Sequence, residues 1–349
     1  MKTGGRGISG LLLAGLGLML MCSGCVEIKS LKEAKPIIPN RDYDKMLLGN
    51  VAADYVGNDN CLNRCHALDK IRRDFEASTM GAQLKAASSG LIIVDCESCH
   101  GPGSALLLEL DAAGLMPKNP DAPISSEDKA KIKAICKKNL LDFDELPAPV
   151  RSQICLKCHA ANATFNLHNW NAGAHALNEV SCSNCHPIHA DGANLILRPE
   201  QINTMCMKCH QEVKAEFSLP SRHPIRQNKM YCTDCHEQHG ATNDMLLRGV
   251  TVKETCVRCH AEKAGPFLFE HGDVTEDCTN CHFSHGSMND NLLTLQSAFL
   301  CKQCHAPHRI NDDSTVASRI ERNTRCTDCH SEVHGTDTPG YNNKGRFIQ

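Results

Sequence analysis

Aromatic side chains are scarce in this 349-residue chain: one Trp, four Tyr and nine Phe make up 4% of the residues. Beyond one short apolar run near the start, no stretch is long and apolar enough to cross a bilayer. These two absences exclude a deep protein core of the ordinary kind and a membrane-spanning helix after the N-terminal run. The architecture must therefore depend on something other than aromatic packing.

Cysteine and histidine are abundant instead, with 23 and 19 residues. The pattern Cys-x-x-Cys-His occurs nine times, whereas random placement would give about 0.1 copies. A tenth copy, "CLNRCH" at 61–66, has three residues between its cysteines. The motif cysteines are Cys61, Cys65, Cys96, Cys99, Cys155, Cys158, Cys182, Cys185, Cys206, Cys209, Cys232, Cys235, Cys256, Cys259, Cys278, Cys281, Cys301, Cys304, Cys326 and Cys329. The motif histidines are His66, His100, His159, His186, His210, His236, His260, His282, His305 and His330.

This motif is typical of covalent haem attachment, because two thiols add to the haem vinyl groups and the adjacent imidazole binds the iron. Zinc sites and disulfide frameworks also use paired cysteines, but neither requires a histidine directly after every pair. We therefore predict ten haem c groups, with the motif cysteines as thioether donors and the motif histidines as proximal ligands. The wider first motif leaves open whether Cys61 and Cys65 both bond to haem.

A two-haem unit repeats along the chain: the segments 206–247 and 256–293 match closely, 155–197 is a looser copy, and a fourth begins at Cys301. Each full unit has one histidine between its motifs and another three residues after its second motif. We expect these to be distal iron ligands of haems in the same or a neighbouring unit. The candidates are His175, His223, His271, His189, His239, His285, His308, His334 and, without a counterpart in the other units, His168.

Nine histidines remain for ten irons, and the shortage falls in the first pair of motifs. Aligning the first motif with the third places Phe75-x4-Met80 at the position of Trp170-x4-His175. Met80 is therefore a candidate axial ligand that would raise the potential of its haem. The alternative is that Met80 only fills an apolar gap and leaves an open or solvent-ligated iron.

The N-terminus carries Lys2 and Arg6, an apolar run and then Ser23-Gly24-Cys25. This pattern predicts a lipoprotein-type signal peptide at 1–24 with lipidation of Cys25, ordinary cleavage being the alternative. We divide the rest into a tether at 25–55, an N-terminal haem-pair region at 56–145 and repeated two-haem units, holding eight haems, at 146–349. Haem propionates would make the loaded protein acidic, which disfavours nucleic-acid binding.

Four segments carry a resemblance to a known family: "CESCHGPGS" (96–104), "SRHPIRQNKMYCTDCHEQHG" (221–240), "CHAEKAGPFLFEHGDVTEDCTNCHFSHGSMNDNLL" (259–293) and "LCKQCH" (300–305). The chain resembles the MtrA/DmsE-type decahaem cytochromes, the periplasmic-side electron conduits of outer-membrane porin–cytochrome complexes. The resemblance implies a mainly irregular, elongated multihaem c-type cytochrome with short α-helices and little or no β-structure, built on a chain of covalently attached haems. The implied partners are an outer-membrane β-barrel porin, a periplasmic or inner-membrane-anchored donor cytochrome, and an outer-face cytochrome or reductase as acceptor.

The leading functional hypothesis is an electron carrier with no catalytic residue, passing electrons from the periplasm across or to the outer membrane in extracellular or anaerobic respiration. It would be an outer-membrane lipoprotein on the periplasmic side or within a porin. One alternative is a cell-surface lipoprotein, either a terminal metal reductase or a filament subunit. Another is an oxyanion reductase with an open catalytic haem.

Overall fold

The computed structural model describes residues 40–66, 70–78, 80–81, 94–117, 124–160, 167–189, 199–272, 276–306, 325–328 and 330–338. The predicted signal peptide, the lipidation site Cys25, His308 and Cys329 lie outside these residues. The chain divides into a short unit, Met1–Tyr43, and a main unit, Asp44–Gln349, to which the candidate sites belong.

Short helices joined by irregular segments make up the main unit, as the sequence predicted. The α-helices are Asn40–Leu48, Asn58–Asn60, Lys70–Ala77, Glu97–His100, Ser104–Ala112, Ser126–Asn139, Ala148–His159, Ala174–Leu177, Cys182–Cys185, Pro199–Cys206, Gln211–Glu216, Cys232–Cys235, Val252–Val257 and Ser297–Lys302. The 3-10 turns are Leu167–Ala172, Pro224–Gln227, Ala261–Lys263, Cys278–Asn280, Asp290–Leu292 and Cys326–Asp328, and Cys61–Cys65 is a π-helical turn. Within the described ranges there is no β-strand, only isolated bridges. The expected fold class, mainly irregular with short helices, is confirmed.

The longest helix, Ser126–Asn139, has local signals at both ends. Ser125 is its N-cap, and the Ser125 hydroxyl accepts a hydrogen bond from the Asp128 N–H at 3.0 Å. Lys137 and Lys138 lie in the last turn, where positive charges interact favourably with the helix dipole. No helix in the described part of the chain combines the length and the apolarity that crossing a bilayer requires.

The part of the chain predicted as a tether, 25–55, contributes to packing at its end. The Asp54 N–H donates to the Ser104 hydroxyl at 2.8 Å, and the Ser104 N–H donates back to the Asp54 carbonyl at 3.1 Å. Gly49 lies against Gly101, where an added Cβ would come within 3.1 Å of the Gly101 Cα. Residues 49–55 thus lie on the segment that follows the second motif.

The apolar core is as thin as the composition predicts. Twelve apolar side chains are buried among the described residues, too few for a conventional core over that part of the chain. Large apolar side chains such as Leu268, Met288 and Phe299 are about two-thirds exposed or more, at 71%, 71% and 66%. The polypeptide therefore leaves apolar surface available to a large apolar group.

Consecutive repeats are joined by the same backbone contacts. A bridge links Ser221 to Ser287 and another links Phe269 to Thr336, in each case two residues before one candidate distal histidine and two residues after another. Within units, His236 bridges to Leu247 and His282 to Leu293 at the same spacing. The repeats predicted from sequence are therefore repeats of structure, each built against the next.

Candidate haem sites

Each described motif folds as one tight turn around its histidine. The histidine N–H donates to the carbonyl of the first cysteine, as in His100 to Cys96 and His236 to Cys232, both at 2.9 Å. In the first motif the extra residue is taken up by the π-helical turn, and His66 still donates to Cys61 at 2.9 Å. The insertion therefore preserves the hydrogen bond between the first cysteine and the histidine.

Seven motif histidines face a second histidine, with ring centroids 5.8 to 6.4 Å apart. The pairs are His100 with His189, His186 with His239, His210 with His175, His236 with His285, His260 with His223, His282 with His334 and His305 with His271. The second member of every pair is a histidine that the sequence predicts as a distal ligand.

The separation within each pair fits one haem iron. A first-row metal binds an imidazole nitrogen at about 2.0–2.1 Å and the ring centroid lies about 1.1 Å further on, so two axial imidazoles have centroids about 6.2–6.4 Å apart. The observed 5.8 to 6.4 Å lies within about 0.4 Å of this value. The donor set and its spacing therefore suit haem iron bound from both faces.

The pairs follow one rule that the repeats alone did not reveal: ligands cross between units. A histidine lying between two motifs faces the first motif of the next unit, as His175 faces His210. A histidine lying after the second motif faces the second motif of the preceding unit, as His285 faces His236. The sequence left the same and the neighbouring unit open, and all seven pairs select the neighbouring one.

Backbone carbonyls orient the paired rings through their Nδ1 atoms. His175 Nδ1 bonds to the Gln238 carbonyl at 3.2 Å, His223 Nδ1 to the Ser284 carbonyl at 3.0 Å, and His271 Nδ1 to the Val333 carbonyl at 2.9 Å. Because a carbonyl can only accept, Nδ1 carries the proton, and Nε2 carries the lone pair that can bind a metal.

The proximal rings follow the same rule. His100, His236 and His282 donate to carbonyls of Leu141, Met245 and Asn291 at 3.1, 2.9 and 2.8 Å. Burial lowers the pKa of His236, which favours the neutral imidazole that binds iron.

His285 differs because its Nδ1 lies 2.9 Å from a carboxylate oxygen, Oε2 of Glu216. Glu216 ends the helix Gln211–Glu216 and directly precedes the buried Phe217. A carboxylate partner makes an imidazole ligand more basic than a carbonyl partner does. The role of Glu216 was not predicted from the sequence. The available signal was an acidic residue directly before an aromatic, which occurs in both "DF" at 74–75 and "EF" at 216–217.

The motif cysteines form an alternating series along the chain. Within each unit the first cysteines of the two motifs lie close enough for their sulfur atoms to interact: Cys61 with Cys96, Cys155 with Cys182, Cys206 with Cys232, Cys256 with Cys278 and Cys301 with Cys326. Between units the second cysteine lies close enough to the next motif to interact electrostatically: Cys99 with Cys158, Cys185 with Cys209, Cys235 with Cys259 and Cys281 with Cys304. The ten motifs thus adjoin one another in chain order.

Other residues predicted as haem ligands belong to none of these seven pairs. His168 is exposed in the turn Leu167–Ala172, and the motif histidine His159 is exposed at the end of its helix. Met80 is half-buried, and Cys136, which belongs to no motif, lies near Cys61 and Cys65 with its pKa raised by burial.

Comparisons with known proteins agree with this geometry. The family described as a doubled CXXCH motif matches residues 223–265 and 271–310, and a cytochrome c-type protein family described as NrfB-like matches 121–197. Multiheme cytochrome MtrA of Shewanella baltica (strain OS185) is 32% identical over 303 residues, covering 84% of this chain and 81% of the relative.

The motif turns, the paired imidazoles and these matches define a multihaem c-type cytochrome with covalently bound haem c. Identity and coverage then identify the group within that class: the chain belongs to the MtrA family of multihaem cytochromes.

Proposed function

We propose that this cytochrome is an electron conduit that carries electrons from the periplasm across or to the outer membrane. The observation that supports it most directly is the alternating series of cysteine contacts from Cys61 to Cys326. Because each haem is bonded to its motif cysteines, neighbouring motifs bring neighbouring haems together. Such a series suits transfer along a chain of sites rather than chemistry at one of them.

In this proposal the chain holds ten haems, each attached through both cysteines of its motif, the first motif included. The seven histidine pairs are axial ligands, and His66, His159 and His330 are the proximal ligands of the other three. When bound, the haems supply one-electron exchange between ferric and ferrous iron. The protein's own groups set ligand, spacing and solvent exposure, and no residue acts as a catalyst.

The backbone carbonyls would keep the rings that donate to them oriented while the iron changes its charge. A ring whose Nδ1–H is already donated to a carbonyl, as in His271 to Val333 at 2.9 Å, retains its tautomer in both oxidation states. Electron transfer then requires no proton movement at the ligand. This arrangement favours rapid transfer over coupled acid–base chemistry.

The proposed setting is the outer membrane, reached through a signal peptide and a lipid on Cys25. The partners are a β-barrel porin around the cytochrome, a periplasmic or inner-membrane-anchored donor and an outer-face cytochrome or reductase as acceptor. The MtrA family membership supports this setting. The sequence "SGC" at 23–25 supports the lipid.

The first test is isolation of the native protein from outer membranes in mild detergent, followed by mass spectrometry of the intact complex. We expect a β-barrel protein in a 1:1 ratio and an acylated N-terminal cysteine. A Cys25→Ser variant should lose the acyl group and still retain its haems, since Cys25 belongs to no haem motif. A lipidated cytochrome isolated without a barrel would contradict the conduit and favour a surface or periplasmic carrier.

A further inference from the structure

Met80 holds a position that the observed ligand pairs define. We propose that the Met80 thioether is the axial ligand opposite His159, on the haem of the third motif and not on the haem of the first. This inference rests on the proposed haem loading of the third motif. It gives that haem His/Met ligation, in contrast to the seven paired-histidine sites.

Ligands cross between consecutive units in the later repeats. In three cases the residue between two motifs faces the first proximal histidine of the following unit: His175 with His210, His223 with His260 and His271 with His305. The first unit has motifs ending at His66 and His100, and the next unit begins with the motif ending at His159. The same rule therefore assigns a ligand lying between residues 66 and 100 to His159.

The local structure selects Met80 among the residues between 66 and 100. A buried aromatic precedes Met80, His175 and His223: Phe75 is 5% exposed, Trp170 is 6% exposed and Phe217 is 4% exposed. Met80 follows Phe75 by the same five residues that separate His175 from Trp170.

The backbone turn after the aromatic is the same in the two segments. The Ser78 N–H donates to the Phe75 carbonyl at 3.0 Å, and the Gly173 N–H donates to the Trp170 carbonyl at 2.9 Å. Met80 thus takes the place that His175 takes in the next repeat.

The first two units contact each other. Lys157, two residues before His159, donates to the Ser98 carbonyl of the second motif at 3.1 Å. His100 of the first unit faces His189 of the second, and Cys99 lies beside Cys158. These units adjoin in the same manner as the later ones, so the crossing rule applies between them.

A thioether ligand would lack one hydrogen bond that the histidine ligands make. Gln238, Ser284 and Val333 each accept the Nδ1 proton of a distal ring, and each directly precedes a histidine that follows a second motif. The corresponding residue beside the first unit is Ile188, before His189. Methionine has no proton to donate to the Ile188 carbonyl. Its neutral, weakly basic sulfur favours ferrous iron and raises the potential of the third haem.

The test uses holoprotein with Met80→Leu, Met80→His and, as a matched control, Met288→Leu, which changes a methionine that is 71% exposed. Near-infrared magnetic circular dichroism detects thioether-to-ferric charge transfer, and spectroelectrochemistry gives the potentials. The native protein and M288L should show the thioether band at the intensity of one haem, and M80L and M80H should lose it. M80H should also lower the potential of one haem and leave the others unchanged.

The haem is located by removing attachment sites in pairs. Cys155→Ser with Cys158→Ser should abolish the thioether band, whereas Cys61→Ser with Cys65→Ser should preserve it. Absence of the band from native protein, its persistence in M80L, or its loss with the first haem instead of the third would overturn the proposal. Refutation of the Met80 proposal would not refute the electron conduit. The conduit is tested by co-isolation of the cytochrome with a β-barrel protein, and M80L should not change that result.

Discussion

The carboxylate beside one distal ligand gives the sharpest electrostatic prediction. Glu216 Oε2 lies 2.9 Å from His285 Nδ1, whereas the comparable rings of His175, His223 and His271 donate to carbonyls. A negative charge on the far side of a ligand stabilises ferric iron over ferrous iron. We therefore predict that Glu216→Gln, which retains the size and an acceptor oxygen but removes the charge, raises the potential of the haem between His236 and His285.

The size of the shift follows from distance and screening. Across the ring the carboxylate lies about 7 Å from the metal position, and at an effective dielectric constant of about 20 the interaction is about 2.4 kcal/mol. For a one-electron couple this corresponds to about 100 mV. The Glu216 side chain is 48% exposed and that of His285 is 33% exposed, so water weakens the interaction. Screening by up to a factor of two gives an expected rise of about 50–100 mV.

Spectroelectrochemical titration of the holoprotein measures this shift, and Glu212→Gln is the matched control. Glu212 belongs to the same helix, Gln211–Glu216, and is exposed. We expect one potential to rise in E216Q and none to move in E212Q. Equal shifts in the two variants would show a general effect of net charge, and no shift in E216Q would refute the role assigned to the hydrogen bond.

Three further predictions concern haem content, coordination and packing. Intact-mass analysis should find ten haems, and nine after Cys61→Ser with Cys65→Ser; nine in the native protein would show that the π-helical turn does not support attachment. The fully reduced protein should bind no carbon monoxide rapidly, since the proposed assignment of the nine non-motif histidines and Met80 gives each of the ten irons a second ligand; stoichiometric binding at one haem would revive the open-haem reductase. Gly286→Ala should lower the unfolding free energy by about 1–3 kcal/mol, because overpacking forces the backbone to move. The added Cβ would come 1.9 Å from the Glu216 carbonyl, while Gly272→Ala, where a Cβ meets nothing within 4 Å, is the control.

Haem attachment and proximal ligation could be predicted from the sequence alone because the motif determines both. Two thiols and an imidazole within one turn specify attachment and proximal ligation together, so their positions needed no tertiary information. The repeat also identified the histidines that form the seven pairs. Pairing itself depends on which units adjoin, and repeated offsets such as those of His223 and His271 are equal whether ligands stay within a unit or cross. Glu216 was missed for the same reason, since its contact with His285 spans 69 residues.

The crossing ligands also determine how damage should spread through the molecule. Each of the seven histidine pairs brings two consecutive units together, as the pair of His236 and His285 does. The free energy of unfolding should therefore be a sum of nearest-neighbour terms, as in other repeat proteins. Removing one haem with Cys232→Ser and Cys235→Ser should therefore loosen the two units that share it. The distant pair of His100 and His189 should keep its ligation and potential.

Limited proteolysis of that nine-haem variant is the measurement. New cleavage should fall within 206–293, the two units that the missing haem joins. Because apolar side chains such as Met245, Phe283 and Met288 are already exposed at 67%, 51% and 71%, the polypeptide alone has little packing to hold these units closed. Cleavage spread evenly over the whole chain would show instead that the haems and the polypeptide form one cooperative core, since loss of a single nearest-neighbour contact cannot open units that do not share it.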